Sequence, residues 1–281
     1  MKPLIPWFEP PVLPIPVTDP PLELHGFGLL VAIGFMVGGT VAQRRARNMG
    51  DDAEAINRLI GWLVLGTFVG GHVGYGLMYK PDEYLANPVE FLKFWQGLSS
   101  FGGFVVCVPL AIWFFWKEKL NVWRYMDHLA HGMAIGWFFG RMGCFVAHDH
   151  PGTPTDFWLG VYGICHGVKD TSVACHDMGL YEALWSLVMF VGLVAVDRAR
   201  KTKDGVQVLV FGLMYGPVRF GMDFLRPEAT DARYGAFTPA QWGSIVLILA
   251  CAAMIVQRLR AADPEPTDAP AAPEEDAKKA S

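Results

Sequence analysis

Charged residues are scarce in this chain, and their scarcity excludes several classes of protein. Only 18% of the 281 residues are Asp, Glu, Lys or Arg, whereas a soluble globular domain carries about 25%. A hydrophobic content of 52% and a mean hydropathy of +0.28 argue against a water-soluble globule, and an aromatic content of 13% argues against disorder. The net charge of −4 gives no basic excess that would suggest nucleic-acid binding.

Two further features are missing. Residues 1–25 are rich in proline and contain no continuous apolar core, so we interpret them as an extracytoplasmic arm and not as a secretory signal. No internal repeat is evident, which argues against an inverted-repeat transporter. Residues 259–281, rich in Ala, Pro, Glu and Asp, are predicted to form a disordered cytoplasmic tail.

What the chain does have is long apolar segments. A helix that crosses the bilayer needs about 20 predominantly apolar residues. Residues 26–258 therefore predict an all-α polytopic membrane domain with about seven transmembrane helices. The segments are Phe27–Gln43, Ile56–Tyr79, Leu98–Trp116, Val122–Gly140, Met178–Val196, Val206–Leu225 and Thr238–Val256.

The basic residues predict the orientation of these segments. Most of the 23 Lys and Arg fall at 44–58, 117–124, 198–203 and 258–279, which alternate loops would place on one side. The positive-inside rule assigns that side to the cytoplasm. The N-terminus is therefore predicted outside, the C-terminus inside, and residues 145–177 in an extracytoplasmic loop. Arg141 and Arg219 lie within segment ends on the outer half.

Those two arginines suggest an anion site, because a charge in a membrane segment is costly and usually functional. Arg219 and Asp223 are four residues apart on one helix face, and Arg226 lies on roughly the same face. Guanidinium groups bind phosphate in a bidentate manner, so a phospholipid headgroup is one interpretation. The alternative is an Arg–Asp pair that merely locks helices together.

Cysteine and histidine residues leave several interpretations open. Cys165 and Cys175 lie in the predicted outer loop, where a disulfide is favoured over a metal site. The metal alternative remains because each is followed by histidine and because His148, Asp149 and His150 are near in sequence. His72, deep in the second apolar segment, is either a packing residue or a catalyst.

Taken together, the motifs resemble those of bacterial prolipoprotein diacylglyceryl transferases. The resemblance runs in order from about residue 20 to 258, and no single motif is specific by itself. The matching stretches are Gly140–Gly152, Gly70–Tyr75, Tyr181–Leu184 and Tyr215–Arg226.

The resemblance implies an activity and a membrane location. The family transfers diacylglycerol from phosphatidylglycerol to the lipobox cysteine thiol of a prolipoprotein, with release of glycerol 1-phosphate. A bacterial inner (plasma) membrane location follows, with the signal peptide and phosphatidylglycerol as partners. The resemblance also implies a catalytic or substrate-binding role for Arg141, Gly143, Cys144, Asp149, Gly152, Glu182, Tyr215, Arg219, Asp223, Arg226 and His25.

The chain departs from the family pattern where a catalytic histidine is expected. The family's Ser-Phe-His-Gly-Gly appears here as Ser99 to Gly103, with Phe101 in the histidine's place. Cys144 replaces an asparagine of the family signature, and Asp149 replaces a glutamate. We therefore hypothesise that His72 or His148 supplies the base.

Three interpretations follow from the sequence. The first is an active transferase, and the second is a catalytically impaired or repurposed homologue that binds phospholipid or lipoprotein precursor. An unrelated transporter is disfavoured because repeats are missing. No metal or other cofactor is expected, because the displacement needs neither redox chemistry nor external energy.

Overall fold

The computed structural model describes residues 2–16, 22–93, 97–165, 168–199, 202–228 and 233–260. The described part is mostly helical, and a long helix covers each of the seven predicted apolar segments. The predicted disordered tail from Ala261 onward lies outside the described residues, as does His166. The helices are α1 (Gly26–Asn48), α2 (Ala53–Tyr79), the short α3 (Pro81–Ala86), α4 (Ser100–Lys117), α5 (Val122–Ala147), α6 (Met178–Ala199), α7 (Val206–Met222) and α8 (Pro239–Arg260).

Five of the described helices are long and apolar enough to cross a membrane, so the chain is a multi-pass membrane protein. These are α1, α2, α6, α8 and α7 with its 3₁₀ extension to Leu225. In α4, the apolar part Phe101–Lys117 is shorter. Helix α5 carries buried polar side chains in its first half, among them Asp127, His128 and His131.

Polar side chains define where several helices begin. Asp52 accepts hydrogen bonds from the backbone amides of Glu54 and Ala55 at the start of α2. Asn121 accepts them from Trp123 and Arg124 at the start of α5. Such caps satisfy amides that have no partner within the helix, and they explain why each helix begins directly after its polar residue.

Glycines allow α1 and α5 to pack with their backbones in contact. A Cβ atom added to Gly38 would lie 2.5 Å from the carbonyl oxygen of Gly132, and one added to Gly34 would lie 2.7 Å from that of Gly136. Both helices therefore carry glycines four residues apart, the small-residue spacing that lets membrane helices approach closely. Arg141 lies on the same helix as Gly132 and Gly136, so this contact positions its helix.

A polar network buries the charges at the opposite end of α5 from Arg141. Arg45 of α1 pairs with Asp197 of α6 at 2.8 Å and contacts Nδ1 of His128 at 2.7 Å. Nε2 of His128 lies 2.8 Å from a carboxylate oxygen of Asp51, which also pairs with Arg124 at 2.7 Å. Each charge thus has a partner, as burial requires.

Short strands interrupt the helical architecture, so the prediction of an all-α chain was incomplete. The arm contains an antiparallel hairpin of β1 (Val12–Ile15) and β2 (Leu22–His25). Between α5 and α6, β5 (Val168–Asp177) lies between β3 (Pro151–Pro154) and β4 (Val161–Cys165). The strands are too short, and β5 too irregular in register, to give a clear period-two pattern.

A disulfide links two strands of the three-stranded sheet formed by β3, β5 and β4. Cys165 and Cys175 are bonded, with their Cα atoms 5.8 Å apart. This is the interpretation that the sequence favoured over a metal site at the same pair. The bond holds β4 to β5 ahead of α6, which carries Glu182.

The N-terminal arm packs against the three-stranded sheet region between α5 and α6 and against the end of α5. The backbone amide of Leu4 donates to the carbonyl of Trp158, and Ile5 forms an isolated bridge with Val161. The Trp7 ring stacks on the His148 ring, with their centroids 4.6 Å apart. The arm is therefore part of the folded end of the molecule that contains the end of α5.

Candidate active site

Three helices bring two arginines to one buried carboxylate. Arg141 comes from α5, Arg219 from α7 and Glu182 from the first turns of α6. Nε of Arg141 forms an ion pair with one Glu182 oxygen, and Nε of Arg219 lies 3.6 Å from the other. Glu182 is 6% exposed, so this carboxylate fixes the two guanidinium groups relative to each other.

Asp223 extends the cluster towards α8. Its Oδ1 accepts a hydrogen bond from Nη1 of Arg219 at 2.9 Å and lies 3.7 Å from Nη1 of Arg226. The hydroxyl of Thr238, just before α8, donates to Oδ2 of Asp223. The predicted Arg219–Asp223 pair therefore exists, and it also joins α7 to the start of α8.

Ion pairs link the charged groups of this cluster. The guanidinium groups of Arg141, Arg219 and Arg226 face the carboxylates of Glu182 and Asp223. The side chains of Arg141, Arg219 and Arg226 remain about one-fifth exposed, at 21%, 19% and 21%. An anion that reaches this surface would meet guanidinium N–H groups, which form strong charge-assisted hydrogen bonds.

Aromatic side chains orient Arg141. Its guanidinium lies 5.0 Å from the centre of the Trp137 ring, a favourable cation–π arrangement. The Tyr215 hydroxyl forms a hydrogen bond with Arg141, and the Tyr215 ring stacks on Phe211 at 6.3 Å. Tyr215, predicted as a site residue, therefore lies inside the arginine cluster.

A cavity of about 370 Å³ opens beside the cluster, between the arm and the ends of α1 and α5. His25 and Asp149, both predicted as substrate-binding, line this cavity. The rest of the lining is mainly apolar. These residues are Pro10, Pro11, Gly26, Phe27, Val146 and Ala147.

The predicted site glycines make protein contacts at close range. A Cβ atom on Gly143 would lie 3.1 Å from the Phe27 ring, and one on Gly152 would lie 2.6 Å from the carbonyl oxygen of Leu225. The space beside both glycines is therefore occupied by neighbouring protein. In this structure Gly143 lets α1 lie close to α5, and Gly152 lets the segment after α7 lie close to the loop that follows α5.

The two histidines proposed as bases have structural partners. His72 is 2% exposed, and its ring nitrogens lie 3.2 Å and 3.1 Å from the carbonyl oxygens of Gly97 and Glu90. Nε2 of His148 lies 3.0 Å from the carbonyl oxygen of Phe8. None of these described contacts joins either ring to the arginine cluster, and burial lowers the pKa of His148.

Cys144, Asp149 and His150 converge at the end of α5. Their Sγ, carboxylate oxygen and ring nitrogen all lie within 4.8 Å of one another. Cys144 is buried, and its Sγ is 3.8 Å from Nη1 of Arg141. Among the described residues this is the group with donor atoms placed to hold a metal ion.

Asp177 caps the N-terminal end of α6, the helix that carries Glu182. Its Oδ1 accepts a hydrogen bond from the backbone amide of Leu180 at 2.8 Å, at the start of α6. Burial, with a further contribution from the negative charge of Asp149, raises the pKa of Asp177 to about 7. This cap lies five residues before Glu182.

Sequence reasoning missed Thr238 and Trp137 as parts of the site. Thr238 is 15 residues from its partner Asp223, and no spacing rule connects the two. Trp137 precedes Arg141 by four residues, which places both on one helix face. This spacing of four residues is visible in the sequence and could have identified Trp137 as a neighbour of Arg141.

Comparison with known proteins identifies the family. A family model described as prolipoprotein diacylglyceryl transferase matches residues 14–257. Three relatives carry the name phosphatidylglycerol–prolipoprotein diacylglyceryl transferase. They come from Tolumonas auensis (33% identity, covering 84% of this chain and 92% of the relative), Chromohalobacter salexigens (32%, 85% and 88%) and Pseudomonas putida (32%, 84% and 91%). The chain belongs to the prolipoprotein diacylglyceryl transferase family.

Proposed function

We propose that the chain transfers the diacylglyceryl group of phosphatidylglycerol to the lipobox cysteine thiol of prolipoproteins. The observation that carries this proposal is the arrangement of Arg141 and Arg219 about one buried carboxylate, Glu182. It provides two fixed guanidinium groups that can hold a phosphodiester. The names of the relatives specify the same two substrates.

The chemistry requires charge stabilisation on the leaving group. The thiolate sulfur attacks the glycerol carbon that carries the phosphate, and the carbon–oxygen bond breaks. The electron pair stays on the phosphate oxygen, so glycerol 1-phosphate leaves and a thioether forms. Arg141 and Arg219 would stabilise this developing charge, because fixed donors in a site of low dielectric need little reorganisation.

The remaining predicted residues take supporting parts in this scheme. Asp223 and Glu182 hold the arginines, Tyr215 orients Arg141, and Arg226 adds a third guanidinium. His25 and Asp149 line the adjoining cavity. Cys144, Gly143 and Gly152 form the end of α5 and its loop, against which substrate would be held.

A seven-span topology with the N-terminus outside places this site at the outer leaflet of the inner membrane. The long helices α4 and α5 then count as spans beside the five apolar ones. On α4, Phe104, Val108 and Ile112 are more than half exposed, which suits contact with lipid. Residues 1–25 form the arm, 26–258 the membrane domain, and 259–281 the cytoplasmic tail.

Both substrates lie in the membrane in this topology, so they enter laterally from the bilayer. Reporter fusions at residue 165 and at residue 202 test the orientation, because only the first is expected to report from outside. The opposite result would reverse the proposed topology and place the arginines on the wrong side for secreted substrates.

A catalytically impaired homologue is the second candidate. Phe101, where the family motif carries histidine, favours it. Expression of this chain in cells depleted of their own transferase separates the two, with thioether-lipidated prolipoprotein measured by mass spectrometry. We expect lipidation with the native chain and none with Arg219→Ala. Phospholipid binding without any lipidation by the native chain would establish the impaired homologue instead.

A further inference from the structure

The end of α5 brings three different ligand types together by its local geometry. Cys144 lies in the last turn of the helix, and His148 adopts a left-handed conformation with φ of 52° that reverses the chain. The backbone amide of Asp149 then donates to the carbonyl oxygen of Cys144 at 3.4 Å. This turn returns Asp149 and His150 to the side of Cys144.

The three donor atoms match the preferences of one ion. Thiolate sulfur, imidazole nitrogen and carboxylate oxygen are the ligands of Zn²⁺, and catalytic zinc sites use three protein ligands with a fourth position open. Ligand atoms about a tetrahedral zinc are about 3–4 Å apart. The observed separations of up to 4.8 Å therefore close with small side-chain rotations.

The surroundings of the three residues also suit a divalent cation. A thiolate and a carboxylate would balance its two positive charges. Arg141, whose Nη1 lies 3.8 Å from Sγ of Cys144, is held by its ion pair with Glu182. Asp149 lines the cavity of about 370 Å³, so a fourth ligand can arrive from that side.

We propose that Cys144, Asp149 and His150 bind a zinc ion whose fourth ligand is the thiolate of the substrate cysteine. This inference rests on the proposed transferase function and assigns the thiol-activating role that Phe101, in place of the motif histidine, cannot supply. The sequence had suggested that no metal is needed. Cys144 and Asp149 are two of the positions at which this chain departs from the family signature.

The step balances without another reactant. A thiol that coordinates zinc loses its proton, and the resulting thiolate sulfur attacks the glycerol carbon beside Arg141. The carbon–oxygen bond breaks with its electron pair on the phosphate. The proton released by the thiol is matched by the one that the glycerol phosphate product takes up, and neither oxidation nor reduction occurs.

Metal content and a spectroscopic probe test the site on the full-length chain in detergent. After treatment with a chelator, the protein is reloaded with Zn²⁺ for elemental analysis or with Co²⁺ for absorption spectroscopy. We expect one metal per chain and a thiolate-to-cobalt charge-transfer band. A synthetic lipobox peptide should intensify that band by adding a second sulfur ligand, and the same peptide with serine for cysteine should not.

Variants assign the ligands. Cys144→Ser and His150→Gln should each weaken Zn²⁺ binding by more than about 100-fold, since even outer-shell changes cost about 10- to 100-fold. Cys144→Ser should also abolish the charge-transfer band. Cys107→Ser is the matched control, because Cys107 is a free cysteine on α4, and it should leave metal binding unchanged. Two independent ligand variants guard against a misfolded one.

The outcomes separate the zinc site from the transferase function. An active enzyme that holds no metal, or whose metal survives both ligand variants, overturns the zinc proposal and leaves the transferase intact. A band that the lipobox peptide does not change overturns the fourth-ligand assignment. A chain that binds zinc through these residues but never lipidates prolipoprotein refutes the proposed function and with it the substrate-thiolate role.

Discussion

Glu182 of α6 forms a buried ion pair with Arg141 of α5, and its second oxygen faces Arg219 of α7. One carboxylate therefore sets the separation of two guanidinium groups from different helices. Removing a partner from a buried pair is costly because the remaining charge keeps its desolvation penalty. This relationship makes Glu182 a positioning residue whose loss should affect both stability and anion binding.

Replacement of Glu182 by Gln tests that role with little change in shape. We expect the free energy of unfolding to fall by about 3 kcal/mol, at the low end for a broken buried pair because the arginines keep some solvent contact. Affinity for glycerol phosphate should rise, since the cluster gains one positive charge. Thermal unfolding in detergent and equilibrium binding measure the two effects.

Glu118→Gln is the matched control for Glu182→Gln. Glu118 pairs with Arg58 at 2.8 Å, but both side chains are substantially exposed. A surface pair of this kind contributes about 0–1 kcal/mol. Equal losses of stability in the two variants would contradict a special role for the buried carboxylate.

Replacement of Arg219 by Lys keeps the positive charge and removes the planar guanidinium group with its several N–H donors. Arg219 uses Nη1 for Asp223 and Nε towards Glu182, and lysine cannot make these contacts while also binding phosphate. We expect the transfer rate to fall by about 10²–10³-fold, the usual cost of losing one oriented donor. Single-turnover transfer to a lipobox peptide measures it.

Arg58→Lys provides the control for Arg219→Lys. Arg58 of α2 lies outside the cluster, 2.8 Å from Glu118, and its replacement should leave transfer unchanged. If Arg219→Lys transferred at the native rate, bidentate binding of the phosphate at this position would be ruled out.

Helices could be predicted well from the sequence, because long apolar segments have few alternatives in a membrane. Their contacts could not. The backbone contact between Gly38 and Gly132 joins residues 94 positions apart. Other glycines in the chain also lie within apolar segments, so the local sequence does not distinguish those that form such contacts. Which of them face each other depends on how the folded helices cross.

The site was predicted in part for a related reason. Arg219 and Asp223 share a face by helical spacing alone, and the structure pairs them. The bridging position of Glu182 and the contact of Thr238 with Asp223 depend on the packing of α6 and α8 against α7. The same packing directs His72 and His148 towards backbone carbonyls, which residue type cannot reveal.

A pH dependence follows from Asp177, whose pKa burial raises from 3.8 to about 7. The folded state therefore holds a proton that the unfolded state releases between about pH 4 and 7. Stability attributable to this group falls as pH rises through that window and is constant above it. Asp177→Asn should remove that dependence and be more stable than the native chain at pH 8.

The measurement is the melting temperature in detergent from pH 4 to pH 8, as the difference between native chain and variant. Taking this difference removes the contribution of histidines that titrate in the same pH range, because both proteins contain them. Asp52→Asn is the control, because Asp52 also caps a helix but is exposed, and it should give no gain at pH 8. A native chain as stable as Asp177→Asn at every pH would refute the buried-carboxyl explanation.

Glycine 38 tests the helix contact that positions α5. A Cβ atom there would lie 2.5 Å from the carbonyl oxygen of Gly132, and backbone cannot rotate away. We expect Gly38→Ala to lower the free energy of unfolding by about 1–3 kcal/mol, as overpacking does. Gly61→Ala, which meets nothing within 4 Å, should instead stabilise by up to about 1 kcal/mol. Destabilisation by both would indicate a general effect of helix glycines.

His148 decides between a base at the end of α5 and an anchor for the arm. Its ring contacts the Trp7 and Phe8 rings and the Phe8 carbonyl oxygen, which favours an anchor. Asparagine tolerates the left-handed conformation at this position and can donate to the carbonyl, but it cannot act as a base. We expect His148→Asn to transfer within about tenfold of the native rate, whereas loss of a general base costs about 10²–10⁴-fold.

Trp7→Ala completes the test of His148, because it removes the stacking partner and leaves the imidazole in place. If His148 is an anchor, both variants should expose the arm equally to limited proteolysis, and their transfer rates should fall together. A large loss of transfer in His148→Asn with an intact arm and an unaffected Trp7→Ala would make His148 the base. That result would also remove the need for zinc to generate the thiolate, so it bears directly on the proposed metal site.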